Sequence, residues 1–269
     1  MASLDARSKA LRRRILDMVR HSRRGHIASG FSLLEIVRVL YDEVLRYDPK
    51  NPSWDGRDRF VFSKGHGCMG LYVLLAEKGF FPDAELDKFC EFEALLGGHP
   101  EHFVPGVEAA TGSLGHGLSI ATGMALAARI DKKPHRVFAL LGDGECAEGS
   151  VWEAAISAGK FGLSHLTAIV DRNRMQCYGS TEDIGPLEPF RSKWESFGWA
   201  VREVDGHDVA ALREAFAALP LAPDRPSVLI ASTVKGKGVP TMENNPDFHH
   251  TNKIGDEALD ALYAELESQ

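Results

Sequence analysis

Positive charge is in the minority: 31 Lys and Arg against 38 Asp and Glu leave a net charge of −7, which argues against a nucleic-acid or anionic-membrane surface. Long apolar runs are missing as well. The N-terminus, MASLDARSKALRRRILDMVRHSRR, alternates charge with apolar residues at helical spacing, so neither a signal peptide nor a membrane span is expected there. The four cysteines, Cys68, Cys90, Cys146 and Cys177, have no CxxC spacing and are too few for a disulfide framework; they read as reduced thiols in a cytoplasm. No GxxxxGK[ST] occurs, and Gly112, Gly115 and Gly117 run in the order GxxGxG, the reverse of the dinucleotide fingerprint, so two familiar nucleotide-binding readings lack support. Linkers, repeats and low-complexity segments are absent, and 269 residues can bury a substantial α/β core.

What is present centres on Gly142 to Asn173. Arg136 to Leu141 and Leu166 to Val170 are short, uncharged apolar runs that suit parallel strands buried on both faces. Gly149 to Phe161 reads as the crossover helix between them, giving a βαβ unit. Ligands of an open parallel sheet bind beyond the carboxyl ends of its strands, and those ends carry Asp143 and Asn173, with side chains expected to be exposed. A carboxylate and an amide oxygen there are hard ligands suited to Mg²⁺, which completes its octahedron with water and phosphate. Gly142 and Gly144 leave room for a phosphate against the backbone. A tight turn before an acidic helix N-terminus is the competing reading, and Glu145 and Glu148 compete as ligands.

Along the chain, Leu4 to Ser22 reads as an amphipathic helix. Ser32 and Glu35 have capping-box spacing ahead of Ile36-Val-Arg-Val-Leu40, which predicts a helix start at Ser32 and a loop presenting His26 and Ser29. Arg59 to Phe62 reads as a strand that runs into Ser63-Lys-Gly-His-Gly67 and then a helix, Cys68 to Lys78. A further helix is expected over Leu118 to Arg129. Residues 174–189 lack periodicity and read as an ordered or a mobile loop. Short helices are expected over Pro189 to Phe197 and Val209 to Ala218, strands over Ala200 to Val204 and Ser227 to Thr233, and a last helix over Asp256 to Leu266.

SKGHG at 63–67, GHPE at 98–101, VPGVEAATGSLGHG at 104–117, GDGECAEG at 142–149 and KGKGVPTMENNPDFH at 235–249, in this order, resemble the N-terminal, diphosphate-binding half of a transketolase. GDG followed after 28 residues by Asn173 resembles the thiamine diphosphate motif of that family. The usual form ends in Asn-Asn, whereas here Asp171-Arg172-Asn173 supplies a single asparagine. Ile27 stands after His26 where the family often has Pro, and His116 where it often has Gln.

The resemblance implies an α/β fold with a parallel sheet flanked by helices on both faces, forming a single diphosphate-binding domain over 1–269. It implies thiamine diphosphate with Mg²⁺, or with Ca²⁺ or Mn²⁺, the metal held by Asp143, Asn173 and the carbonyl of Met175. Around cofactor and donor sugar it places His26, Ser29, Lys64, His66, Gly112, Ser113, Leu114, Asp143, Gly144, Glu145, Asn173, Lys235 and His249. Proton transfers to and from the sugar hydroxyls fall collectively to His26, His66, His99 and His249, with His250 as second choice. The activating glutamate of the family belongs to a pyrimidine-binding domain, expected here on a separate C-terminal chain. The expected partner assembly is α₂β₂, with Glu148 and the helix after it near the interface. The implied reaction moves a two-carbon ketol unit from a ketose to an aldose, as sugar phosphates or analogues, in the cytoplasm. Two alternatives stand beside it: a related synthase acting on pyruvate, and a module that binds the cofactor without turnover.

Overall fold

A computed structural model describes residues 4–177 and 179–269. Its centre is a five-stranded sheet of β1 (Arg59–Phe62), β2 (Val137–Gly142), β3 (Leu166–Arg172), β6 (Ala200–Asp205) and β7 (Ser227–Ser232), in the order β1-β2-β3-β7-β6. Every neighbouring pair is parallel. The two-residue strands β4 (Met175–Gln176) and β5 (Gly179–Ser180) form a separate antiparallel pair within 174–189, followed by a short helix, Thr181–Ile184. That stretch is therefore built, apart from Tyr178, which lies outside the described residues.

The strand side chains alternate between two cores. Phe60, Phe62, Phe138, Leu140, Ile169 and Leu229 pack on one face with the helices Ala6–Ser22, Cys68–Glu77 and Asp256–Ser268. Val61, Ala139, Leu141, Ala168, Val170 and Ile230 pack on the other with Gly117–Ile130, Gly149–Lys160 and Phe190–Ser196. A period of two with both faces apolar accounts for the uncharged runs, because neither face of the central strands meets water.

The capping box is not formed. The chain turns helical directly after His26, in the pieces Ile27–Ser32 and Leu34–Val39, and neither Ser32 nor Glu35 caps. Glu35 is 1% exposed, and a buried carboxylate requires a compensating charge rather than a backbone N–H at a solvated helix end. Arg12 supplies it with bonds of 2.6 and 2.9 Å, and also donates to Phe31 O at 2.8 Å and Lys237 O at 2.7 Å. His207 completes the group: its Nε2 accepts from Val234 N–H and its Nδ1 lies 2.8 Å from Glu35, which leaves the proton on Nδ1. Burial opposes ionisation of Glu35, but Arg12 and His207 outweigh it and hold its pKa well below the usual range. The triad ties the first helix, the short helices and the segment after β7 together directly behind the cleft.

Candidate functional site

β1, β2, β3 and β7 run in one direction, so Lys64, Asp143, Asn173 and Lys235, which follow their last residues closely, come out at one edge of the sheet. There they line a cleft of about 240 Å³ together with His26, His66, His99, Gly112, Leu114, Gly144, Glu145, Met175 and His249. Thirteen sites expected from sequence thus converge although they span residues 26 to 249. Gly142, Glu148, Gln176 and Cys177 also line it.

Two expected residues do not. Ser29 lies within the helix Ile27–Ser32, fully buried, and its Oγ has no partner among the described residues. Ser113 is exposed, with its Oγ 3.5 Å from His116 Nδ1. Local loop position suggested Ser29 and the family resemblance implied Ser113, whereas the turn of the helix and of the glycine-rich loop points them elsewhere.

Glu145 lines the cleft as a fastener. Ser63 Oγ donates to it, as do Gly115 N–H at 2.9 Å and Gly142 N–H at 3.0 Å, so both oxygens are engaged and the loops after β1 and β2 are pinned to the glycine-rich loop. Gly115 adopts φ +84°, and Gly65 packs so closely that a Cβ would meet Thr111 O at 1.5 Å; these two positions require glycine for the loops to nest.

Beneath the cleft floor Lys64 Nζ lies 2.5 Å from Asp171 Oδ2, both within 1% of complete burial. Asp171 also accepts from Ser32 at 2.6 Å, from Thr233, and from Asn173 Nδ2 at 3.2 Å. Burial would raise its pKa, but Lys64 and these donors hold it down. The Asn173 amide is thereby oriented: Nδ2 faces Asp171, Oδ1 accepts from Met175 N–H at 3.0 Å, and a second lone pair of Oδ1 stays free for the cleft.

Asp143 is 1% and Asn173 6% exposed, so the expectation of exposed strand-end side chains does not hold; the following loops cover them. The Asp143 carboxylate accepts from Gly144 N–H at 2.8 Å, Arg174 N–H at 2.5 Å and Arg172 Nη1 at 3.2 Å. Burial, reinforced by the charge of Asp171, nevertheless raises its pKa to about 6. Arg172 also bonds Glu188 at 2.9 Å and Glu182 at 3.3 Å, so it ties Asp143 to the 174–189 segment.

The opposite wall is imidazole. His26 has its ring centroid 5.4 Å from His66, 6.0 Å from His99, 5.6 Å from His249 and 4.6 Å from His250. Burial first, and then neighbouring positive charge, lowers His26 to about 3 and His249 to about 4, and puts His66 well below its ordinary value. Burial lowers His99 too. Lys235, 2.5 Å from His249 Nδ1, is brought to about 8 by burial and by Lys64. At neutral pH the wall therefore carries neutral rings, beside the buried Lys235 ammonium, which sits against His249 Nδ1 and lines the cleft.

A family model described as "Transketolase, thiamine diphosphate binding domain" matches residues 5–267. An apulose-4-phosphate transketolase subunit of Phocaeicola vulgatus is 42% identical over 248 residues, covering 92% of this chain and 88% of that one. The 6-deoxy-6-sulfo-D-fructose transketolase subunit SqwG of Clostridium sp. is 42% identical over 91% of this chain and 89% of its own length. Among solved structures, the transketolase from Leishmania mexicana superposes with a TM-score of 0.90 at 32% identity, over 99% of this chain but 42% of that one.

Proposed function

The chain belongs to the transketolase family through its thiamine diphosphate-binding domain, and from this premise we propose that it is one subunit of a two-chain transketolase, forming over 1–269 a single diphosphate-binding domain. The observation that carries the reading is the convergence of Asp143, Asn173, Lys235 and four neutral histidines at one sheet edge. Relatives of matching length are named as subunits, and the solved transketolase is more than twice as long; both facts support a pyrimidine-binding partner chain that carries the activating glutamate.

The residues fit the cofactor. Gly112, Gly142 and Gly144 bring bare backbone to the cleft, Lys235 offers a cation, and Gln176 Oε1 is buried without a partner among the described residues. No cluster of three His, Cys, Asp or Glu suited to a metal occurs among the described residues. Asp143 and Asn173 are the start of a shared Mg²⁺ site, with the Met175 carbonyl, water and phosphate oxygens completing it.

Thiamine diphosphate, when bound, supplies a nucleophilic carbon and the electron sink for cleaving and remaking a carbon–carbon bond. Lys235 binds the diphosphate end. Glu145 fixes the loops that enclose it, and the neutral imidazoles of His26, His66, His99 and His249 orient the ketose and take the proton from its hydroxyl as the bond breaks. The paired Lys64 and Asp171 keep Asn173 oriented. This is ketol transfer between sugar phosphates or their analogues. For the pyruvate-consuming synthase the family offers as an alternative, absence of pyruvate turnover by the assembled protein is the expected result.

Titration calorimetry with Mg²⁺ and thiamine diphosphate tests the metal site. Asp143→Asn and Asn173→Ala weaken Mg²⁺-dependent binding at pH 7.5 by roughly a hundredfold or more, beyond the 10–100-fold that groups merely supporting a metal's ligands cost. The pH sign follows from the raised folded-state pKa. The folded apo chain binds more protons than the unfolded chain between about 4 and about 6, so its stability falls as pH rises through that window. The cation offsets that penalty only where Asp143 is ionised. Mg²⁺-dependent binding therefore declines more steeply below pH 6 in the wild type than in Asp143→Asn, where the cofactor's phosphate still takes up a proton in that range; equal slopes in both exclude Asp143 as ligand.

With the partner we propose an α₂β₂ assembly with two-fold symmetry, Glu148 and the exposed Ile156 of the helix Gly149–Lys160 facing the interface. Light scattering of the co-purified active pair gives the mass of two copies of each chain; one copy of each contradicts it. Four free cysteines support a reducing cytoplasm, and no helix among the described residues is long and apolar enough to cross a membrane.

A further inference from the structure

His99 stands on a segment that belongs to no helix or strand. Leu96 and Pro100 are buried on either side of it, but none of the carbonyls of Gly97, Gly98 and His99 accepts a backbone N–H among the described residues. Side chains of the helix Cys68–Glu77 take them up instead. Tyr72 Oη lies 2.9 Å from His99 O and 3.2 Å from Gly97 O, one hydroxyl proton between two acceptors and nearer the first, and Cys68 Sγ donates to Gly98 O at 3.2 Å. The two residues are one helical turn apart, so both donors come from a single face. Tyr72 is fully buried with its ring against Phe89, and Cys68 is buried beside it. Burial pushes the Tyr72 phenol well above its ordinary value, so it keeps the proton it donates.

The same helix starts directly after the turn Gly65–Gly67, which carries His66. One rigid element therefore bears one wall histidine at its start and holds the backbone of another. The His99 ring continues the arrangement, packed against Gly112, whose Cβ would lie 3.9 Å from its Cγ and Cδ2, and 6.0 Å from the ring of His26.

We propose that Tyr72 is a positioning residue for His99, its hydroxyl, seconded by the Cys68 thiol, setting how the imidazole enters the cleft. The proposal rests on the transketolase reading for the task given to His99, and on the hydrogen bonds above for the rest. A carbonyl deprived of its donor in this part-buried place regains a partner by turning toward water. Rotation of the peptides on either side of His99 carries its side chain with it.

Tyr72→Phe removes the hydroxyl and keeps the ring. In the assembled enzyme it lowers kcat/KM for ketol transfer about tenfold, a part of the roughly 10²–10⁴-fold that a positioned acid or base supplies. A cycle with His99→Ala separates positioning from general loosening. Adding Tyr72→Phe to His99→Ala costs nothing further if Tyr72 acts through that ring; a double variant that shows the product of the two losses overturns the proposal. Independently of turnover, NMR follows the imidazole titrations of the full chain. Burial first holds His99 below its ordinary value, with Glu101 opposing and His250 adding to it. In Tyr72→Phe the His99 titration moves up toward the ordinary value as the ring gains water, while that of His249 stays in place; an unmoved His99 rejects the role. Should Tyr72→Phe not accumulate, Cys68→Ala, which frees Gly98 O alone, gives the same two readouts at smaller amplitude. A shifted His99 titration without ketol transfer by the assembled wild type supports the positioning and counts against the transketolase reading alone.

Discussion

Replacing Arg12 by alanine lowers the free energy of unfolding by about 3–5 kcal/mol, the range for leaving one member of a buried ion pair uncompensated. Glu35 would remain with His207 alone, and Phe31 O and Lys237 O would lose their donors. Urea unfolding at pH 7 measures the loss. If Arg12→Ala does not accumulate, Glu35→Gln supplies the same test at smaller amplitude, because its amide still accepts from Arg12 while the charge is gone. The sign with pH is distinctive. In Arg12→Ala the Glu35 carboxyl is no longer held below its usual range, so burial raises its pKa, and neutralising it in acid relieves the variant. The deficit relative to wild type is therefore largest at neutral pH and shrinks toward pH 4. A deficit under 1 kcal/mol at neutral pH, or one that grows in acid, shows that the triad does not fasten the helices behind the cleft.

That triad also marks where sequence reasoning stops. Most of the main strands were legible because runs such as Leu166–Val170 and Ser227–Ser232 are apolar on both faces, as strands of a buried parallel sheet are, whereas the edge strand Ala200–Asp205 carries Arg202 and Glu203 in its middle. The cleft residues were legible for a related reason: Lys64, Asp143, Asn173 and Lys235 each follow a strand end, and parallel strands deliver their ends to one edge. Ser32 and Glu35 misled because their spacing satisfies a local rule, whereas their partners, Asp171 and Arg12, stand 139 and 23 residues away. A buried charge forces a tertiary partner, and nothing local announces which. Glu145 reads as a ligand beside Asp143 until Ser63 and Gly115 arrive from two other loops. Ser29 and Ser113 turn away because the short helix after His26 and the nested glycine loops set their direction. The Gly25–Thr251 bridge, beside which His26 meets His250, joins backbone groups and leaves no trace in residue type.

The assembly dependence carries the largest effect. On the reading proposed above, this chain would supply the metal, diphosphate and histidine contacts of the cleft, and the carboxylate that activates the cofactor ring would come from the pyrimidine-binding partner. A cleft that opens to solvent also admits water to the reacting face, where charges and neutral imidazoles lose their advantage. The chain alone, saturated with Mg²⁺ and thiamine diphosphate, is therefore expected to bind cofactor and turn over no sugar. Mixing the two chains decides between a module that only stores the cofactor and one half of an enzyme. The most direct measurement is ketol transfer from a ketose phosphate to an aldose, assayed on this chain, on a separately purified pyrimidine-domain chain, and on their equimolar mixture. Transfer by the mixture at more than a hundred times the rate of either chain is the predicted result; equal, background rates in all three, with cofactor bound, would contradict the account.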